Sequence, residues 1–301
     1  MRGLIIRSQS GFYTVETPTG SFTCRMRGRL KQGRRLGDIV AVGDWVDITP
    51  LPDHEGIVEE IEPRQRMLVR MAPTPRGAYQ QIIIANPDQA VFVFACARPE
   101  LHPGMLDRFL VVAEKQHLPA VIVANKVDLV GMAQAERLFS HYAALGYPLV
   151  YTSTKSELGI YELNLRLQGK VSVFAGPSGA GKSSLLNSIQ PGLGLAVRAI
   201  SQATEKGRHT TVVRQLFPLA SGGYVADTPG LKAMALWDIL PEELDGYFPE
   251  LRQLVDGCQF NDCTHTHEPG CAVLAALARG DVHPERYASY VRMRMSQDET
   301  E

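Results

Sequence analysis

The sequence predicts a multi-domain protein: a small β-barrel first, a doubly wound α/β domain in the centre, and a short, mostly helical, cysteine-rich module last. Three observations carry this. Short segments of alternating polarity, separated by turn residues, fill residues 1–72. From Gln89 onward, apolar runs alternate with helix-like segments, the pattern of strands and helices packed in layers. Three of the five cysteines, Cys258, Cys263 and Cys271, fall within fourteen positions near the C-terminus. The expected boundaries are 1–72, 73–236 and 237–301.

Composition bounds the function classes. The 301 residues are 45% hydrophobic and 21% charged, as in an ordinary soluble protein, and no apolar run approaches bilayer length. The apolar stretch in Met1–Arg7 is too short for a secretory signal, so a cytoplasmic protein without a membrane partner is expected. A net charge of −1 neither demands nor excludes a polyanionic partner, and local charge matters more.

In the first part, Phe12–Thr17 and Gly20–Arg25 alternate around a Pro-Thr-Gly turn, and Asp44–Ile48 and Gly56–Ile61 supply two further strands. Several short strands in so few residues suggest a closed barrel, with the five-stranded oligonucleotide-binding fold (OB-fold) as leading candidate. Between two of these strands, Arg25–Arg35 carries six positive side chains and no acid. On a small barrel such a run can track an RNA backbone, although a solvated loop has the same composition.

Residues 73–80 read as a linker or mobile loop, being rich in Pro, Gly and polar residues. Gln89–Cys96 is then nearly continuously apolar, as in a parallel strand buried on both faces. Leu106–Glu114 reads as a helix and Pro119–Ala124 as the next strand. That strand ends in Asn125-Lys126-Val127-Asp128, an N-K-x-D pattern. A carboxylate at Asp128 can accept from guanine N1–H and from the 2-amino group, which adenine lacks, so GTP is expected over ATP. Asn125 can hold the loop and the base edge, and Ser153, in Thr152-Ser153-Thr154-Lys155, can back the guanine.

The phosphate-binding signal is Gly176-Pro177-Ser178-Gly179-Ala180-Gly181-Lys182-Ser183, preceded by the strand-like Val171–Ala175 and followed by a helix opening at Ser184. Glycines let backbone N–H groups point at a phosphate, Lys182 supplies a point charge, and Ser183 offers a hydroxyl to Mg²⁺. Beyond a polar stretch containing Lys206, Arg208, His209, Thr210 and Thr211 comes Asp227-Thr228-Pro229-Gly230, a D-x-x-G pattern. Asp227 is expected to reach Mg²⁺ through water, Gly230 N–H to sense the γ-phosphate, and a threonine of the Thr210-Thr211 pair to complete the Mg²⁺ shell. In an ordinary GTPase the phosphate loop precedes N-K-x-D; here it follows, so the domain reads as circularly permuted.

In the tail, Cys258, Cys263 and Cys271 with one histidine, His265 or the competing His267, favour a structural Zn²⁺ site over disulfides. Pro241–Leu244 and Ala272–Leu277 read as helices, and Gln297–Glu301 as a solvated end.

This combination of permuted GTPase motifs, a preceding barrel and a Cys/His tail resembles the RsgA/YjeQ family of circularly permuted, ribosome small-subunit-dependent GTPases. The resemblance implies hydrolysis of GTP to GDP, stimulated by the 30S subunit during late small-subunit maturation, with 16S rRNA and ribosomal proteins as partners. It favours His265 as the fourth zinc ligand. It also bears on catalysis, because the position that holds a water-orienting Gln in Ras-like enzymes is Leu231 here. The family's switch histidine is similar in position to His209, which implies that His209 places the water, with Lys182 and Thr210 completing the catalytic set. The expected oligomeric state is a monomer. The alternative is a nucleotide-gated rRNA-binding module whose turnover is incidental.

Overall fold

The computed structural model describes residues 1–28, 38–74, 77–194, 214–227 and 239–297. Its first sheet contains β1 (Arg2–Gln9), β2 (Phe12–Thr17), β3 (Gly20–Met26), β4 (Trp45–Pro50) and β5 (Glu55–Ile61). These strands hydrogen-bond in the order β1-β2-β3-β5-β4, and β4 pairs back onto β1, closing a five-stranded barrel. Alternation explains the core: Leu4, Val15, Phe22, Cys24, Val46, Ile48 and Val58 point inward and are buried, whereas Thr23 and Arg25 between them face out. The strand that alternation did not reveal is β1, whose apolar run is only Leu4–Ile6 between charged ends.

Pro73, Thr74 and residues 77–80 are strand rather than linker: β6 (Met67–Thr74) and β7 (Gly77–Ala85) pair antiparallel from Met67↔Ala85 to Thr74↔Gly77. Pro and Gly suit the tip of a hairpin as well as they suit a linker, and composition alone does not separate the two.

The central sheet is built from β8 (Gln89–Ala95), α1 (Pro103–Lys115), β9 (Ala120–Asn125), α2 (Met132–Ala144), β10 (Leu149–Thr152), α3 (Ile160–Leu167), β11 (Val171–Ala175) and α4 (Lys182–Ile189). After these come β12 (Arg214–Gln215), β13 (Phe217–Pro218) and β14 (Tyr224–Asp227). The strand order is β10-β9-β8-β11-β14-β13, parallel except for β13 at the edge. Helices cover both faces, which is why β8 and β9 are buried at every position. Ala90, Phe92 and Phe94 of β8 pack on the α1–α2 side, and Val91 and Val93 pack on the α3–α4 side. The short β12 leaves this sheet and extends the barrel instead, pairing Arg7↔Gln215 and Ser8↔Arg214, with Leu216 N–H donating to the Ile6 carbonyl at 2.8 Å.

The C-terminal module opens with a 3₁₀ helix at Pro241–Tyr247, where the sequence suggested an ordinary helix, and continues through α5 (Pro249–Arg252), α6 (Ala272–Arg279) and α7 (Pro284–Gln297). It docks on the central domain through a buried ion network. Arg286 of α7, 1% exposed, donates to Asp107 of α1 at 2.7 Å and to Glu250 of α5 at 2.7 Å. Tyr142 of α2 donates to the same Asp107 oxygen at 2.9 Å.

Candidate nucleotide site and metal centre

Parallel pairing places the sequence motifs at one edge of the sheet. Asn125, the last residue of β9, stands opposite Thr152 at the end of β10, and Phe174 next to the phosphate loop stands opposite Asp227. Ligand sites of doubly wound sheets form at these carboxyl ends.

The N-K-x-D segment and the phosphate loop are tied directly. Asn125 Nδ2 donates to the Ala180 carbonyl at 2.8 Å, and Thr152 Oγ1 donates to Asn125 Oδ1 at 3.0 Å. Both partners of Asn125 are thus fixed, and the side chain is 2% exposed. The loop approaches so closely that a Cβ on Gly181, at φ +96°, would sit 2.4 Å from Asn125 Nδ2. Gly176, at φ +145°, is equally constrained, since a Cβ there would lie 2.1 Å from the Val93 carbonyl oxygen. Only glycine fits either position. Thr152 was not among the sequence-predicted site residues; its signal was a hydroxyl closing an otherwise apolar strand.

Asp128 is held by its neighbours rather than by burial. Ser153 Oγ donates to Asp128 Oδ1 at 2.7 Å, and Lys155 Nζ lies 3.4 Å from Oδ2. The Ser153 hydrogen bond first, then Lys155, hold the Asp128 carboxyl below the ordinary carboxylate range, so it is an acceptor at neutral pH. Ser153 itself accepts from the Lys155 and Ser156 N–H groups at 3.3 and 3.4 Å. Lys126 adopts φ +62° and donates to the Arg98 carbonyl.

In the phosphate loop, Pro177, Ser178 and Gly179 lead to Ala180, and Lys182 opens α4 after Gly181. Lys182 Nζ donates to the Gly176 and Pro177 carbonyls at 2.7 and 3.1 Å, which places its charge over the loop. Ser183 and Ser184 follow in the first turn of α4. His209, Thr210, Thr211 and Gly230 lie outside the described residues, as do Lys206, Arg208, Leu231 and the basic run from Arg29 onward. Of that run, Arg25 and Arg27 are described: the Arg25 guanidinium lies 4.8 Å from the Phe12 ring centroid on the barrel face, and Arg27 is ion-paired to Glu59.

The cysteines converge as well. One ligand atom each from Cys258, Cys263, His265 and Cys271 lies within 4.8 Å of the others. His265 Nδ1 is 3.5 Å from Cys258 Sγ and 3.4 Å from Cys271 Sγ, and the two sulfurs are 4.0 Å apart. A tetrahedral zinc ion with ordinary bond lengths needs N···S edges of about 3.5 Å and S···S edges of about 3.8 Å. The donor set therefore fits such an ion, and a sulfur separation of 4.0 Å excludes a Cys258–Cys271 disulfide. His267 points elsewhere, its Nδ1 bonded to Thr266 Oγ1 at 2.8 Å. Around Cys271, burial opposes ionisation, but the Leu274 N–H and His265 draw the thiol below its ordinary pKa.

Fold and site together define a circularly permuted P-loop GTPase with an N-terminal barrel and a C-terminal Cys₃His cluster. Comparison with known proteins agrees. Residues 61–237 match the family model for the RsgA GTPase and residues 2–58 that for the RsgA N-terminal domain. The small ribosomal subunit biogenesis GTPase RsgA of Gemmatimonas aurantiaca is 45% identical over 97% of this chain and 96% of its own length. That of Caldanaerobacter subterraneus is 40% identical, over 97% and 94%. The crystal structure of YjeQ from Thermotoga maritima superposes with a TM-score of 0.79 at 37% identity, covering 98% of this chain and 97% of that one. YloQ, a circularly permuted GTPase, gives 0.76 at 32%, covering 100% and 96%. The chain belongs to the RsgA GTPase family and is a GTP-hydrolysing enzyme, with GTP, GDP and Mg²⁺ as its implied ligands.

Proposed function

We propose that this GTPase acts in maturation of the small ribosomal subunit, and that the 30S particle, through 16S rRNA and ribosomal proteins, stimulates its hydrolysis of GTP. The single observation that supports one shared guanine-nucleotide pocket best is the Asn125–Ala180 hydrogen bond, which ties the base-reading segment to the phosphate-gripping loop.

In this reading Asp128 accepts from guanine N1–H and the 2-amino group, held by Ser153, while Asn125 and Lys126 shape the base-side wall. Backbone N–H groups of Gly176 to Ser184 cradle the phosphates, and Lys182 exchanges its carbonyl partners for phosphate oxygens. The hard-oxygen set of Ser183, Asp227 and Thr210 suits Mg²⁺, which when bound supplies neutralisation of the charge on the transferred phosphoryl oxygens. Thr211 and Gly230 border the γ-phosphate, and His209 positions the attacking water in place of the residue that Leu231 cannot replace. Cys258, Cys263, His265 and Cys271 hold a structural Zn²⁺. The division into a barrel over 1–72, a GTPase domain over 73–236 and a zinc module over 237–301 follows the same reading, as do a cytoplasmic setting, a monomeric state and rRNA contact by the barrel.

Single-turnover hydrolysis with and without purified 30S subunits tests the proposal. Subunits are expected to raise the rate; an unchanged rate with GTP-dependent binding retained favours a nucleotide-gated rRNA-binding module instead. His209→Ala is expected to lower the stimulated rate by 10²-fold or more while leaving GTP affinity intact, in keeping with the ~10²–10⁴-fold typical of a positioned proton-handling group. Equal loss of both would contradict its role.

A further inference from the structure

We propose that Asp245 is the residue that fixes the metal-binding tautomer and orientation of His265, a role that no motif in the sequence announces. The inference rests on the zinc reading above. His265 is 1% exposed, and both ring nitrogens are committed. Nδ1 faces the sulfurs of Cys258 and Cys271, and Nε2 lies 3.1 Å from Asp245 Oδ2. A neutral imidazole carries one N–H, and the nitrogen that ligates a cation must keep its lone pair. The proton therefore belongs on Nε2, where the Asp245 carboxylate accepts it. Such an outer partner orients the ring and raises its basicity toward the metal.

Asp245 is itself held in place. Its other oxygen, Oδ1, accepts from the Gly246 N–H at 2.7 Å. Its 3₁₀ segment is held by Arg294, which donates to the Pro241 carbonyl at 2.6 Å.

Apart from the Tyr290 ring, 6.1 Å from that of His265 between centroids, the other contacts at this ligand act on the backbone. His265 adopts φ +60°, a conformation that L-residues rarely hold. Tyr287 donates to its carbonyl at 2.8 Å, and Glu268 gathers the N–H groups of Thr264, Thr266 and His267 at 2.7, 3.0 and 3.1 Å. Among the described residues, Asp245 is the carboxylate that reaches a ring nitrogen. It also differs from the four ligands in origin. Those ligands sit between Cys258 and Cys271, whereas Asp245 belongs to the segment Pro241–Tyr247 that comes after the D-x-x-G motif and before them. Through the His265 ring, metal binding thus fastens that segment to the Cys/His loop.

The test uses the full chain. Zinc affinity is measured by chelator competition for the wild type, Asp245→Ala and Asp245→Asn, and the absorption spectrum is recorded with cobalt(II) as probe. Asp245→Ala is expected to weaken zinc binding about 10- to 100-fold, the usual cost of removing such a partner. Its cobalt ligand-field bands should shift as the imidazole loses its fixed orientation, while the thiolate charge-transfer bands persist. Asp245→Asn, whose amide oxygen still accepts from Nε2–H, should recover most of the affinity and the wild-type spectrum, which a loss of general stability would not do. Wild-type affinity and spectrum in Asp245→Ala overturn the inference. So does an Asn variant as impaired as the Ala variant. A wild-type chain that takes up no zinc overturns the zinc reading itself, a result distinct from either.

Discussion

Asn125 has two polar side-chain atoms and almost no freedom in how it uses them. Its amide nitrogen is spent on Ala180 and its amide oxygen on Thr152, so its rotamer is set from both ends before any ligand arrives. Thr152→Val keeps the shape of that buried hydroxyl but leaves Asn125 Oδ1 without its donor. An unsatisfied buried acceptor costs about 1–3 kcal/mol, so guanine nucleotide affinity should fall about tenfold, with little change in hydrolysis from the bound state. Fluorescent-nucleotide titration and single-turnover rates separate the two; an unchanged dissociation constant would show that Asn125 holds its position without Thr152. Asn125 and Asp128 were legible in the sequence because a four-residue motif encodes them. Thr152 and Asp245 were not, because each acts through a neighbour that only the fold brings within reach.

The elements divide in the same way. β8, β9 and β11 were readable, since burial on both faces leaves unbroken apolar runs, and the glycines of the phosphate loop declare a backbone that no side chain permits. β1 was missed because it buries the consecutive Gly3, Leu4 and Ile5 before a register shift, which breaks alternation, and the β6–β7 hairpin because Pro73 and Gly77 also suit a linker. β12 was illegible for another reason: it is two residues long, and its pairing with β1 spans some two hundred positions of sequence. That pairing makes the polypeptide leaving the Thr210–Thr211 region an edge strand of the barrel before it returns to the central sheet at β13. Leu216, fully buried between the two, is the side chain that seats it. Leu216→Ala should cost about 2–5 kcal/mol in denaturant unfolding, as other buried leucines do. A loss below 1 kcal/mol would mean that the barrel and the sheet are not joined through this strand.

At the scale of the whole molecule, the question is whether the C-terminal module unfolds with the rest. Two features of its interface with α1 and α2 say that it does. His141 of α2 stacks on His283, the residue just before α7, ring centroids 4.1 Å apart, and its Nε2 has no hydrogen-bond partner among the described residues. Burial first, then the nearby His283 and Arg286, push its pKa down to about 4 from 6.5. The native state therefore refuses a proton that the unfolded chain accepts, so stability should fall as pH drops from about 6.5 toward 4 and be unaffected by this group above that window. Thermal melts of His141→Phe against the wild type should show a shallower decline across the same interval. Arg286 gives the sharper test. It is 1% exposed and neutralises both Asp107 and Glu250, one from each side of the interface. Removing it by Arg286→Met strands two carboxylates in a buried site, a loss of about 3–5 kcal/mol for a broken buried pair. If the module is an integral part of the folded unit, that loss appears as a lower midpoint of one cooperative transition, and a chelator that strips zinc from the proposed Cys/His site lowers the same transition. If the module is merely tethered, Arg286→Met splits unfolding into two steps and leaves the midpoint of the GTPase domain where it was.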